Sequence, residues 1–192
     1  FLLRDVQGRL DELIPAMEQS VAENPNIAGF RAALAKSYVE TGQFDEARHL
    51  LNTEAATNFT SVPRDVVWGT TLSIFGEVAA ALNATDEAAV VVDLLLPFQH
   101  LIATSGAHAY APIALAVGRA AGILGHPEAP ALLASAVETG RRLRAPIWLA
   151  RALVAQAELT GELGPAEEAL TIVERLGDTA VATHARTLLA AT

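Results

Sequence analysis

The feature of this sequence that most constrains its fold is a pattern of small and apolar residues that recurs about every forty residues. Each copy opens with a small residue: Ala35, Gly76, Gly118 and Ala157. Seven residues later comes a residue suited to left-handed backbone, which ends helices: Gly42, Asn83, Gly125 and Gly164. A unit of this length buries its apolar face only against its neighbours, so the sequence predicts a stacked repeat array.

Each unit is predicted to be a helical hairpin. A second small position follows twelve residues after the first: Ala47, Ala88, Pro130 and Ala169. Pairs of acidic residues precede it in three units: Asp45-Glu46, Asp86-Glu87 and Glu167-Glu168. Acidic side chains are favoured in the first turn of a helix by its dipole. Because the pairs occupy equivalent positions, we interpret them as helix-start residues and not as acid/base catalysts.

The pattern places helices along the whole chain, with boundaries accurate to a few residues. The predicted helices span about 4–23, 27–41, 44–54, 64–82, 85–96, 110–124, 127–143, 146–162, 165–176 and 178–190. The predicted fold class is all-α: tandem antiparallel hairpins stacked as a right-handed superhelical solenoid.

The amino-acid composition favours an all-helical fold and excludes several classes of function. Apolar residues make up 52% of the chain and aromatic residues only 5%, which favours closely packed, alanine-rich helices. The net charge of −9 argues against a nucleic-acid surface, which needs a basic face. The absence of Cys excludes disulfides and cysteine-based metal sites and is compatible with the cytoplasm.

Residues 94–118 carry no Asp, Glu, Lys or Arg and are long enough to span a bilayer. Pro97, Pro112 and several polar residues interrupt the segment. We therefore predict two short helices around a loop and no membrane span. An apolar contact surface for other parts of a longer protein is the alternative for this segment.

The pattern Leu-Ala-x-x-Tyr-x-x-x-Gly-x-Phe-x-x-Ala-x-x-x-Leu at 34–51 resembles a tetratricopeptide repeat. The longer period resembles the helical repeats of large ATP-dependent regulators of the LuxR type and of actinobacterial nucleotide cyclase–ATPase proteins. Residues 58–68 (NFTSVPRDVVW), 94–102 (LLLPFQHLI) and 143–164 (LRAPIWLARALVAQAELTGELG) look similar to that group. The resemblance implies a module of a multidomain signalling or transcription-regulatory protein.

The repeat register predicts a single domain, 1–192, that is a fragment of a longer solenoid. Its parts are a half-unit at 1–25, units at about 27–60, 64–105, 110–144 and 146–177, and a half-unit at 178–192. Two half-units at the ends favour a fragment, because a natural terminus normally carries a complete polar cap.

The candidate functional surface is the concave face lined by the first helix of each unit. The residue after each opening small residue is charged, and the signs alternate: Lys36, Glu77, Arg119 and Glu158. One interpretation is a polar strip that binds a peptide, a partner helix or a small polar ligand. The other is mutual ion pairing along a solvated face, which contributes little stability.

No catalytic constellation accompanies this strip. The sequence has no phosphate-binding glycine loop and no H-E-x-x-H pattern, and its five His are scattered. We therefore expect no catalytic, cofactor-binding or metal-ligating residues. The predicted function is a non-catalytic, cytoplasmic module that binds a protein segment or another domain of its parent. The alternative is a sensor that holds a small-molecule effector in the superhelix groove.

Overall fold

The computed structural model describes residues 1–176 and 179–190. Within these residues the chain is helical except for loops and one short hairpin of strands. The helices are α1 (Leu2–Val6), α2 (Ile14–Glu23), α3 (Ala28–Glu40), α4 (Phe44–Ala55), α5 (Trp68–Ala81), α6 (Thr85–Leu95), α7 (Ile113–Ile123), α8 (Ala129–Arg142), α9 (Pro146–Thr160), α10 (Gly164–Glu174) and α11 (Thr179–Ala190). Single 3-10 turns cover Leu10–Leu13 and Leu96–Phe98.

The helices pack as successive hairpins, in which α3 packs with α4, α5 with α6, α7 with α8, and α9 with α10. The first helices also stack on one another, α3 on α5 and α5 on α7, while α9 contacts α7 and α11. The shared core is rich in alanine. These contacts confirm the predicted class: an all-α, tetratricopeptide-like array of helical repeats.

Small residues allow the two helices of a hairpin to approach closely, as predicted. A Cβ atom added at Gly118 on α7 would lie only 2.7 Å from Leu133 Cδ2 on α8. A Cβ atom at Gly76 on α5 would lie 3.1 Å from Val91 Cγ1 on α6. The opening residue of the repeat is therefore small because a side chain of the partner helix occupies the space beside it.

Left-handed backbone ends three of the four first helices at the predicted residues. Gly42, Asn83 and Gly125 have φ of 77°, 50° and 63°. The prediction was wrong in the fourth unit, where Gly161 (φ 72°) ends α9 and Gly164 begins α10. Pro165 follows Gly164 and favours a helix start at that point, because its fixed φ suits the first turn.

Two predicted helices differ from those observed. The helix predicted at 4–23 is broken at Gly8, whose φ is 63°, so that α1 and α2 are separate. The helix predicted from residue 64 begins at Trp68. There the backbone N–H of Val67 donates to Asp65 Oδ1 at 3.0 Å, a local turn that competes with helix formation.

The segment between α6 and α7 contains two short antiparallel strands, β1 (Ile102–Thr104) and β2 (Ala109–Pro112). The second strand takes up the start of the helix predicted at 110–124, which begins at Ile113. Ile102 pairs with Pro112 and Ala103 with Ala111. This hairpin brings Tyr110, which is 3% exposed, into the interior. Among the described residues, no helix combines the length and apolarity needed to cross a membrane.

The close contact of α8 with α9 makes Gly140 sensitive to substitution. An added Cβ atom would lie 2.8 Å from Leu149 Cα and 2.9 Å from its backbone N. Backbone cannot rotate away, so we expect Gly140→Ala to lower the free energy of unfolding by about 1–3 kcal/mol, against a helix-propensity gain of at most about 1 kcal/mol. Urea unfolding followed by circular dichroism measures this.

The matched control is Gly164→Ala, because no atom lies within 4 Å of a Cβ atom at that position. We expect this variant to be as stable as the parent chain or more stable. Equal stabilities of Gly140→Ala and the parent chain would contradict the close approach of α8 and α9.

Candidate functional site

The four charged residues predicted for the concave face lie on four successive first helices: Lys36 on α3, Glu77 on α5, Arg119 on α7 and Glu158 on α9. The structure joins them as two ion pairs. Lys36 Nζ lies 3.0 Å from Glu77 Oε2, and Arg119 Nη2 lies 3.3 Å from Glu158 Oε2. Each pair links neighbouring repeat units.

The two pairs differ in their exposure to solvent. Lys36 and Glu77 are only 8% and 9% exposed. The side chains of Arg119 and Glu158 keep 25% and 30% of their surface exposed. The expected solvated face therefore describes the second pair only, and the first lies where few water molecules screen its charges.

Three further residues surround the buried pair and form with it what we call the interior cluster: Asp5, Lys36, Glu77, Tyr110 and Arg151. Asp5 on α1 is 3% exposed and accepts a hydrogen bond from Arg151 Nη2 on α9 at 2.7 Å. Asp5 Oδ1 also lies 3.8 Å from Lys36 Nζ. Tyr110 Oη donates to Glu77, with Oε2 at 3.0 Å. The cluster thus contains two acidic and two basic side chains, and at its edge Lys36 Nζ also lies 3.5 Å from the more exposed Glu40 Oε1.

The interior cluster shifts the pKa of its members. Burial alone would raise the pKa of Asp5, but Lys36 and Arg151 outweigh burial and hold it below its ordinary value of 3.8. Burial would lower the pKa of Lys36, yet Glu77 and its neighbours raise it well above 10.5. Burial and the Glu77 carboxylate raise the pKa of Tyr110. Both ion-pair partners of Asp5 therefore stay charged at neutral pH.

The sequence analysis did not identify Asp5, Tyr110 or Arg151. Arg151 could have been identified from the sequence, because it is a charged residue within the otherwise largely apolar first helix of its unit. The equivalent positions in the other units are Gly29, Thr70 and Pro112. Asp5 lies on the short helix α1 and Tyr110 on strand β2, neither of which belongs to a paired helical hairpin, so the repeated pattern did not single them out.

A second group, the rim cluster, consists of Arg119, Glu158 and His184. His184 Nε2 on α11 lies 2.6 Å from Glu158 Oε1. Burial would raise the pKa of Glu158, but the hydrogen bond from His184 and the nearby Arg119 lower it. The sequence analysis assigned no role to His184. In the structure it forms a hydrogen bond with the carboxylate of Glu158, one of the four predicted residues.

The rim cluster borders a cavity of about 720 Å³, which we call the groove. Its walls come from α3, α5, α7, α9 and α11, with Phe44 of α4 and Leu133 of α8. They include Val39, Glu40, Ala80, Ala81, Gly118, Gly122, Ile123 and Leu159. The groove thus combines an apolar wall with charged groups at one side, which suits non-covalent binding of a segment with mixed chemistry.

Among residues 1–176 and 179–190, no group of three or more His, Cys, Asp or Glu side chains is placed to hold a metal ion. The charged groups are held by one another through ion pairs.

Comparison with known proteins supports the repeat assignment. The profile of the tetratricopeptide repeat matches residues 7–60, which contain α2, α3 and α4. Such repeats generally mediate protein–protein interaction and are generally non-catalytic. No curated protein and no solved structure matches the chain.

The shifted pKa of Asp5 predicts acid-sensitive stability. Because the pKa is lower in the folded chain than its ordinary value of 3.8, Asp5 stabilises the fold above that pH. The contribution is lost as the pH falls through the folded-state pKa. At pH 7 we expect the free energy of unfolding of Asp5→Asn to be about 2 kcal/mol lower than that of the parent chain. Below pH 4 this difference in stability should become smaller, because Asp5 becomes protonated.

Urea unfolding at several pH values measures this gap. Asp93→Asn is the control, because Asp93 is an exposed residue on α6, and its difference from the parent chain should not depend on pH in this way. A gap for Asp5→Asn that stays constant down to pH 3 would contradict the ion pairing of Asp5.

Both tyrosines of the chain, Tyr38 and Tyr110, are expected to ionise at a higher pH in the folded chain than in the unfolded chain. Burial and a 2.6 Å hydrogen bond to Glu18 raise the pKa of Tyr38 to about 12, and the pKa of Tyr110 is also raised. Protonated tyrosine is therefore favoured by the fold, and this stabilisation is lost as the pH rises from about 10 through the folded-state values. We expect little tyrosinate absorbance at 295 nm at pH 11 in the folded chain, and full titration near pH 10 in urea.

Tyr38→Phe isolates the signal of Tyr110 in the same measurement. Titration of that variant near pH 10 while circular dichroism still reports a folded chain would show that Tyr110 does not donate to Glu77.

Proposed function

We propose that this chain is a non-catalytic protein-interaction module that binds a protein segment, or another domain of its parent protein, in the groove. The finer part of the proposal places it in a multidomain, cytoplasmic signalling or transcription-regulatory ATPase. That part rests on the resemblance of residues 58–68, 94–102 and 143–164 to the repeat regions of LuxR-type regulators and cyclase–ATPase proteins.

The observation that carries the proposal is the groove itself. Its volume of about 720 Å³ has room for several side chains, and its wall combines Val39, Ile123 and Leu159 with the rim cluster. Apolar surface provides affinity, while partly exposed Arg119 and Glu158 provide hydrogen bonds and charge complementarity. The net charge of −9 makes direct nucleic-acid binding a poor alternative.

The proposed domain is one repeat region, 1–192. We assign units to 27–60, 64–105, 110–144 and 146–177 and half-units to 1–25 and 178–192, because each full unit contains two helices that pack together. The start of the last half-unit at residue 178 lies outside the described residues.

An effector sensor is the second candidate function. The volume of the groove falls within the range of about 300–1,000 Å³ that is common for small-molecule sites. A metabolite that raises the melting temperature of the chain, when peptides do not, would favour this candidate over protein binding.

Site-specific photo-crosslinking tests the protein-binding function. Ala81 lines the groove and is exposed, and Ala89 is an exposed alanine on α6. With benzoylphenylalanine at each position in turn, we expect the Ala81 chain to form adducts with one recurring protein or parent domain in cells. Adding Arg119→Glu should reduce these adducts about fivefold or more, because it reverses a charge of the rim cluster.

The Ala89 chain is the matched control and should give no such adduct. Identical products from both positions, or adducts that Arg119→Glu leaves unchanged, would contradict binding in the groove. Mass spectrometry identifies the crosslinked protein.

A further inference from the structure

The starting observation is that α1 connects distant parts of the chain. It packs against α11, and Leu2 contacts the core. Its Asp5 binds Arg151 on α9 at 2.7 Å and lies 3.8 Å from Lys36 on α3. A single carboxylate from the first helix therefore bridges the first and last full repeat units.

The charges of the interior cluster require this carboxylate. Without Asp5, Lys36 would keep Glu77 at 3.0 Å and Glu40 at 3.5 Å, whereas Arg151 would lose the carboxylate to which it donates. The Arg151 side chain is only 13% exposed, and Asp5 is the carboxylate that it contacts within the described residues. An unpaired guanidinium at this depth is unfavourable, so the Lys36–Arg151 pair forms a site for an anionic group.

Helix α1, whose Asp5 occupies this site, is a short element. Helix α1 has five residues, too few for a stable isolated helix. Leu3 on α1 is 68% exposed. Gly8, with φ 63°, separates α1 from the rest of the chain. The position of α1 therefore depends on Leu2, on its packing against α11, on the ion pair of Arg4 with Glu12 at 3.3 Å and on the charges that Asp5 meets.

The site is also within reach of a segment bound in the groove. A small cavity beside the interior cluster shares Glu40, Arg119 and His184 with the groove. Another cavity, of about 390 Å³, extends from Asp5 past Gly8 and Leu10 to Thr41. The small cavity thus adjoins both the groove and Asp5, and the second cavity also borders Asp5.

We propose that the Lys36–Arg151 pair is a carboxylate-binding site that α1 fills from within the chain, and that an acidic side chain on an apolar partner segment replaces Asp5 there. This inference rests on the proposed function and specifies the chemistry of the partner. The partner would present an Asp or Glu among apolar residues, as α1 does in Leu2–Val6. Helix α1 would then act as an internal competitor that lowers the apparent affinity for such partners.

A binding experiment with a peptide copy of α1 tests the proposal. The probe is a fluorescein-labelled peptide with the sequence of residues 2–7, LLRDVQ, together with its Asp→Asn form. Asp5→Arg places a third cation beside Lys36 and Arg151 and should release α1. We expect this variant to bind the Asp peptide about tenfold more tightly than the parent chain does, and to bind the Asn peptide weakly. Fluorescence anisotropy measures the affinities.

Two controls separate the site from general effects of charge. Asp93→Arg makes the same charge change at an exposed position and should bind like the parent chain. Adding Arg151→Gln to Asp5→Arg should remove the gain in affinity. If Asp5→Arg is not folded by circular dichroism, Asp5→Ala replaces it, with a smaller gain expected in the same direction.

An acetate titration distinguishes a side chain on a segment from a free carboxylate. A rise in the melting temperature of Asp5→Ala with acetate, combined with no binding of the Asp peptide, would overturn the proposal of a partner segment. Equal binding of the Asp and Asn peptides, or no peptide binding by either folded Asp5 variant, would overturn the site. Crosslinking from Ala81 in the groove can succeed or fail independently, so the failure of one proposal is distinguishable from that of the other.

Discussion

Burial of each hairpin against the next is the constraint on which the rest of the structure depends. Neither helix of a unit has enough partners within its own unit to cover its apolar face, so the units are stable only as a stack. Small residues such as Gly118 and Gly140 set the spacing, because the neighbouring helix occupies the volume of an absent side chain. This spacing aligns the first helices and brings charged residues from separate units within hydrogen-bond distance.

The alignment explains why two similar ion pairs differ in character. Lys36 and Glu77 are covered by α1 and by the strand hairpin, and their charges are compensated by Asp5, Arg151 and Tyr110. Arg119 and Glu158 lie at the groove and remain partly exposed, with His184 beside them. One ion pair is thus closed off by the chain's own residues, and the other remains partly exposed to solvent.

Much of the fold was predictable because the repeat fixes it. Three of the four copies locate the end of the first helix, because Gly42, Asn83 and Gly125 take the expected left-handed backbone. The four charges of the strip were located for the same reason. The break at Gly8, the strand hairpin and the contacts of Asp5 were not predictable, because they depend on non-repeating residues. Their partners are fixed only when the stack brings residues 5, 110 and 151 together.

The bridge from Asp5 to Arg151 also alters how such an array would come apart. In an open stack, each end unit has a neighbour on one side only, and it can fray without affecting the other end. Here α1 contacts both α9 and α11, so the chain is closed on itself across 146 residues. Loss of structure at one end therefore removes a neighbour from the other, so the fraying of the two ends is coupled.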